Sequence, residues 1–240
     1  MSETLKGKNA IVTGGTKGIG YAVAKALIEA GVSVVICGRS EEGVGRATQA
    51  LLANAPNGVK VIGFPADITR RDHVQALFAQ ADAHMDGLDI LVNNAGVGIF
   101  RSVAELDPEE WRRVLDTNLT GAFLCSREAV GRFKARGSGF VINISSLAGK
   151  NPFAGGAAYN ASKFALNGFS EAMMLDLRYD NIRVSSIMPG SVATEFGRGG
   201  PADWKIAPED VAEAVLAVLK MPERTLISAV EIRPSRPPRK

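Results

Sequence analysis

Seven short runs rich in β-branched and aliphatic residues recur along the 240-residue chain, separated by stretches with helical periodicity. The runs fall at 9–13, 33–37, 59–64, 89–92, 140–144, 183–188 and, more weakly, 226–232. Their apolar character is nearly continuous, as expected for strands covered on both faces. The stretches 18–30, 41–53, 71–83, 108–136, 158–179 and 208–219 read as helices. The fourth begins with Asp107 as a cap, Pro108 in the first turn and Glu110 completing a capping-box pattern. Strands and helices in alternation predict a doubly wound α/β domain on a parallel sheet. No linker, repeat or low-complexity segment interrupts it, so one domain spanning 1–240 is expected. Within it, residues 195–204, with Gly197, Gly199, Gly200 and Pro201, predict a mobile loop.

Composition narrows the function classes. At 46% hydrophobic and 22% charged, the chain is that of a soluble globular protein with an ample core. Four of its cations, Arg233, Arg236, Arg239 and Lys240, crowd the last eight residues. The remainder carries −1 of the overall +3, which argues against nucleic acid as a partner. The basic stretch 233–240 reads as a frayed, solvated tail. Cys37 and Cys125 lie in apolar runs and read as small buried hydrophobes in a reducing compartment. His73 and His84 have no clustered ligands, so no metal is expected. The N-terminus has no apolar signal segment and no run reaches membrane-spanning length, so no membrane partner and a cytoplasmic location are expected.

Three stretches carry chemistry. The first strand runs into Thr13-Gly14-Gly15-Thr16-Lys17-Gly18-Ile19-Gly20. A glycine-rich turn between strand and helix brings backbone N–H groups and a helix N-terminus toward a pyrophosphate; it also serves simply as a tight turn. Tyr159 and Lys163, four apart, share a helix face, where an ammonium lowers a phenol pKa. Alone, such a pair is common on amphipathic helices. Ser146, thirteen residues before Tyr159, follows the fifth apolar run and brings a hydroxyl toward the phenol.

Taken together with Asn93-Asn94-Ala95-Gly96, Asn118, Pro189-Gly190 and Thr194, these motifs resemble a classical member of the short-chain dehydrogenase/reductase family over roughly residues 6–195. The resemblance implies a single Rossmann-like domain, a nicotinamide dinucleotide cofactor, and hydride transfer between that cofactor and a carbonyl or alcohol. It implies a catalytic tetrad of Asn118, Ser146, Tyr159 and Lys163. Tyr159 would be the general acid/base, Ser146 would bond the substrate oxygen, and Lys163 would lower the Tyr159 pKa and hold the nicotinamide ribose. Asn118, in the middle of the fourth helix, would favour a kink and bind a water leading to Lys163. Cofactor contacts are implied for Gly14, Thr16, Lys17, Gly18, Ile19, Gly20, Asn94, Ala95, Gly96, Pro189, Gly190, Val192 and Thr194, with Asp67 and Ile68 at the adenine.

NADP(H) is the expected form of the cofactor. The second strand ends Cys37-Gly38-Arg39-Ser40, without an acid before Glu41. Arg39 offers a donor fork for a 2′-phosphate, Ser40 a hydroxyl, and Lys17 a second cation from the other side. The alternative for Arg39 and Lys17 is a pair of solvated surface charges. Phe100, Leu147, Phe153, Phe196 and Trp204 predict an apolar substrate pocket. In its motif regions the chain is similar to 3-oxoacyl-acyl-carrier-protein reductases, so a 3-oxoacyl or other apolar ketone is expected. It departs from them in the Pro-rich end after Ile232. The competing reading is a catalytically idle NADP(H)-binding redox sensor or scaffold. Phe123, Leu124, Phe164, Leu166, Phe169, Met173 and Met174, on more than one helix face, predict a homodimer or homotetramer.

Overall fold

β1 (Asn9–Thr13) is buried at every position, and this makes it a central strand. In the computed structural model, which describes residues 4–196 and 202–238, β1 pairs in parallel with β2 (Ser33–Gly38) on one side and β4 (Ile90–Asn93) on the other. The full order is β3-β2-β1-β4-β5-β6-β7, with β3 at Val61–Pro65, β5 at Gly139–Ile144, β6 at Ile182–Pro189 and β7 at Ala229–Ile232. Every pairing is parallel. The chain builds outward from β1 to β3, then returns to the far side of β1. A crevice therefore opens between the carboxyl ends of β1 and β4, where ligands bind in open α/β sheets.

Two cores sandwich the sheet, and successive strand residues feed them alternately. Ala10 and Val12 face one core while Ile11 faces the other; Ile90 and Val92 are likewise divided from Leu91. α1 (Gly18–Glu29), α2 (Glu41–Leu52) and α7 (Pro208–Leu219) cover the first face. α3 (Arg71–His84), α5 (Gly121–Arg136) and α6 (Ala157–Leu177) cover the second. Burial on both sides is why the strands read as unbroken apolar runs. Burial also lifts the Cys37 thiol to about 11 and the Cys125 thiol well above its ordinary range, so neither is a reactive thiolate.

Two elements depart from the expected pattern. The expected helix 108–136 is split into α4 (Pro108–Leu115) and α5 by one π turn, Asp116–Thr120, with Asn118 at its middle. Asp107 caps α4 by accepting the Glu109 N–H at 2.7 Å, while Glu110 is held chiefly by Arg101 at 2.8 Å. The second departure is a polar chain inside the apolar second core. Asn93 Nδ2 donates to Ser126 Oγ and Asn143 Oδ1, both at 2.9 Å; Asn143 Nδ2 donates to Ser170 Oγ at 2.8 Å. This chain ties β4 and β5 to α5 and α6. It fixes the height of α6, the helix that carries Tyr159 and Lys163, against the strand that ends beside Ser146.

Candidate active site

The carboxyl ends of the strands open into a groove of about 2050 Å³. Thr13, the last residue of β1, closes its floor: its Oγ1 accepts the backbone N–H groups of Asn94 and Ala95 at 3.0 and 3.1 Å. Asn94 answers with its side-chain amide, donating to the carbonyls of Thr13 and Gly14 at 2.9 and 3.1 Å. Asn94 thus shapes the glycine-rich turn with its side chain as well as lining the groove. Gly14 takes φ +64°, a left-handed conformation that favours glycine, and a Cβ there would stand 2.9 Å from Ala95 Cα. Gly20 lies behind the groove, not in its lining; a Cβ on it would overlap the Asn94 amide and the Gly14 carbonyl. It is a close-packing residue and not the direct contact expected.

The N-terminus of α1 points its first N–H groups into this crevice. Lys17, at the cap position, makes no side-chain cap bond, and the first turn contains no acid. Such a terminus suits an anion. Together with the glycine cradle, it fits the pyrophosphate of a dinucleotide. Thr16, Lys17, Gly18, Ile19, Ala95, Gly96, Pro189, Gly190, Val192 and Thr194 all line the groove around it.

Arg39, Ser40, Asp67 and Ile68 line the groove past the end of β2. Ser40 also caps α2, accepting the Gly43 N–H at 3.2 Å. Burial works against the Asp67 carboxylate. Bonds from the Thr69 backbone and hydroxyl, with the charges of Arg39 and His73, nevertheless hold its pKa below the ordinary value. Asp67 therefore remains anionic, with the Arg39 charge near enough to favour it. Lys17 differs from expectation. It does not turn toward Arg39 but bonds Glu195 at 2.8 Å across the mouth of the groove, both side chains being largely exposed.

At the other end Tyr159 lies buried beneath three rings. Its centroid is 5.5 Å from Phe100, 5.8 Å from Phe196 and 6.5 Å from Phe153. With Leu147 and Trp204 these rings line the groove, giving the apolar pocket predicted from sequence. Ser146 caps the short turn Leu147–Gly149, accepting the Ala148 N–H at 3.1 Å, and its hydroxyl lies 3.5 Å from the Pro189 carbonyl, near enough to the Tyr159 phenol to favour its ionised form. Lys163 runs under the ring, Nζ 5.8 Å from its centroid, and donates to the Ile144 carbonyl at 2.9 Å.

The expected lowering of the Tyr159 pKa is not what this geometry gives. Burial raises the phenol, and only the neighbouring Ser146 hydroxyl opposes it. Burial also brings Lys163 down to about 8. Desolvation outweighs the Tyr–Lys spacing that the sequence advertises.

Asn118 also lies outside the groove lining. Its Oδ1 accepts the Val97 N–H at 2.7 Å, and its Nδ2 donates to the Val97 carbonyl and to Ser162 Oγ, both at 3.0 Å. The amide is therefore spent on the backbone that follows Gly96 and on the residue next to Lys163. The side chain positions those two segments.

Sequence reasoning named Thr13 only as the start of the glycine-rich motif and gave no role to Ser162, although their hydroxyls knit these segments together. Nothing in the spacing marks Ser162. It also missed Arg233, Pro234, Pro237 and Pro238, which line the groove where a frayed tail was expected. The part of the expected loop at 197–201, and Arg239 and Lys240, lie outside the described residues. Among the described residues no cluster of His, Cys, Asp or Glu is arranged to hold a metal, and no helix is long and apolar enough to cross a membrane.

Comparison with known proteins addresses the same groove. The short chain dehydrogenase family model matches residues 8–203. A 3alpha-hydroxysteroid dehydrogenase of Mediterraneibacter gnavus is 39% identical over 196 residues, 82% of this chain and 78% of that protein. A metagenomic short-chain oxidoreductase solved with NADP superposes with a TM-score of 0.85 at 35% identity, over 98% of this chain and 100% of that one. A 3-ketoacyl-(acyl-carrier-protein) reductase from Brucella melitensis, solved with NADH, gives 0.86 at 28% identity, over 97% and 99%. With the parallel sheet, the glycine cradle at its crevice and the Ser146–Tyr159–Lys163 cluster, these matches establish that the chain belongs to the short-chain dehydrogenase family.

Proposed function

We propose that this protein interconverts an apolar ketone and its alcohol, using NADP(H). The observation that carries the reading is the Tyr159 phenol, set with Ser146 and Lys163 beneath a phenylalanine cage, in the same groove as Arg39. A nicotinamide dinucleotide, when bound, supplies or accepts the hydride. The protein's own groups handle the oxygen. In reduction, Ser146 Oγ bonds the carbonyl oxygen as negative charge grows on it, and Tyr159 gives its proton to that oxygen. The raised phenol pKa keeps Tyr159 protonated at neutral pH, ready as an acid. Lys163, while still charged below about 8, stabilises the phenolate left behind. The steroid dehydrogenase among the relatives and the ring-lined pocket both favour a bulky apolar substrate.

Preference for NADP(H) over NAD(H) rests on Arg39, since Lys17 is engaged by Glu195. No acid stands at the end of β2 to repel a 2′-phosphate. The reading also includes a second copy of the chain. Leu166 and Met173 are core residues, but Phe123, Phe164, Leu175 and Tyr179 remain exposed on and just beyond α5 and α6. A paired helix face would cover them.

The test is initial-rate kinetics with NADPH and NADH over a panel of ketones. The wild type should favour NADPH in kcat/KM, and Arg39→Ala should erode that preference by about tenfold, mainly through KM. Equal efficiency with NADH would overturn the cofactor assignment. Tight NADPH binding with no turnover of any ketone or alcohol would favour the idle sensor.

A further inference from the structure

The turn that Ser146 opens is fastened to α6 on both sides of the serine. Before it, Lys163 Nζ donates to the Ile144 carbonyl at 2.9 Å, and Ser145 Oγ donates to the Lys163 carbonyl at 3.4 Å. After it, Asn167 Nδ2 donates to the Gly149 carbonyl at 3.0 Å. The Asn167 amide is held at its other end too: Ser186 Oγ, on β6, donates to its Oδ1 at 3.1 Å. Tyr159, Lys163 and Asn167 follow one another at four-residue steps along α6. Gly149 permits a close approach. A Cβ there would stand 2.5 Å from Asn167 Nδ2 and 2.7 Å from the Lys163 carbonyl oxygen, so the turn lies directly against the helix backbone.

We propose that Asn167 is a positioning residue for proton transfer: it holds the Ser146 turn against α6 and so sets the Ser146 hydroxyl beside the Tyr159 phenol. The inference rests on the oxidoreductase reading and assigns that site a further residue. Ser146 comes from the end of β5 and Tyr159 from the first turn of α6, so their separation is only as well defined as the contact between turn and helix. The bond that Ser146 accepts from the Ala148 N–H lies within the turn and moves with it. An amide suits the place, because it offers a donor toward Gly149 and an acceptor toward Ser186 on one rigid group. A carboxylate of the same shape would keep the acceptor and turn an oxygen toward the Gly149 carbonyl. Neither Asn167 nor Gly149 lines the groove, so any effect on the chemistry passes through Ser146. A misplacement of about 1 Å is enough to cost on the order of a hundredfold in rate.

The experiment compares the full chain with Asn167→Ala, Asn167→Asp, Ser146→Ala and the double variant of the two alanines. The first readout needs no turnover. It is the carbon-13 NMR resonance of the tyrosine ring Cζ at neutral pH, with Tyr159 assigned as the one of three tyrosines that Tyr159→Phe removes. Ser146→Ala should move that resonance, Asn167→Ala and Asn167→Asp should move it in the same direction, and the double variant should match Ser146→Ala. The second readout is NADPH-dependent reduction of 1-decalone, a fused bicyclic ketone. Asn167→Ala should lower kcat by about ten to a hundredfold with the NADPH Kd near wild type, and should cost little more when added to Ser146→Ala. A Tyr159 resonance unmoved by Ser146→Ala or by Asn167→Ala would overturn the proposal, as would losses in kcat that simply multiply in the double variant. Should Asn167→Ala fail to fold, an unmoved resonance in Asn167→Asp overturns it equally. Moved resonances, with no turnover of 1-decalone or any other ketone by the wild type, would uphold the placing of Ser146 by Asn167 and overturn the oxidoreductase reading instead.

Discussion

Replacing Lys163 with methionine should stabilise the fold at neutral pH while removing activity. Lys163 is 5% exposed, and burial takes its ammonium from 10.5 to about 8. That fall corresponds to about 3 kcal/mol of stability withheld wherever the amine stays charged in the folded state. Methionine matches the stem and carries no charge. It forfeits the bond to the Ile144 carbonyl, worth about 1 kcal/mol, so the variant should gain about 1–2 kcal/mol at pH 7. The sign of the pH dependence follows from the depressed pKa. Below about 8 both folded and unfolded wild-type chains hold the proton and the penalty is fully present. Between about 8 and 10.5 the unfolded chain holds a proton that the folded chain releases, so wild-type stability climbs relative to the variant. The raised phenol of Tyr159 is common to both proteins and cancels. Urea unfolding at pH 7, 8, 9 and 10 should therefore show the variant's advantage shrinking and then reversing. Turnover should fall by at least about a hundredfold throughout. A variant less stable than the wild type at pH 7, with a parallel pH profile, would refute the argument that burying this amine costs stability.

Tyr159→Phe should leave the NADPH Kd within about twofold and lower kcat by about 10²–10⁴, as expected for loss of a general acid; near-normal turnover would remove Tyr159 from that role. Gly20→Ala should lose about 1–3 kcal/mol in urea unfolding and weaken NADPH binding, because its methyl must displace Asn94 or the Gly14 carbonyl. Wild-type values for both would show that the turn has room to spare. Light scattering at micromolar concentration should give the mass of a dimer or tetramer, and Phe123→Glu with Phe164→Glu should shift it toward the monomer.

Much of the fold was legible because burial on both faces leaves an unmistakable mark. β1 at Asn9–Thr13 and α7 at Pro208–Leu219 fall where the apolar runs and the helical periodicity put them. The π turn at Asp116–Thr120 was not legible as such, since a single extra residue in a helix barely changes its periodicity. Asn118 stood out, but its partners are Val97 and Ser162, distant in sequence and fixed only by packing. The groove's ends were readable from Gly14, Arg39, Ser146 and Tyr159, which sit at or just beyond strand ends or inside a helix of known face. The electrostatics were not. Spacing suggested that Lys163 would lower the Tyr159 pKa, whereas depth decides it, and depth is a property of the whole fold. The course of Arg233–Pro238 was hidden for a related reason: prolines and arginines after a last strand look alike whether they fray or fold back.

That the proline segment lies beyond β7 separates two kinds of inheritance. A change at Gly14, Thr13 or Asn94 disturbs backbone bonds that the sheet itself depends on, and selection for a folded chain will oppose it. A change at Pro234, Ser235 or Pro238 breaks no ladder and opens no core. Such substitutions fall in the class that typically moves stability by less than about 0.5 kcal/mol. The groove is thus anchored, around Gly14 and Asn94, in the part of the molecule least free to vary, while the proline segment at its rim is free to change.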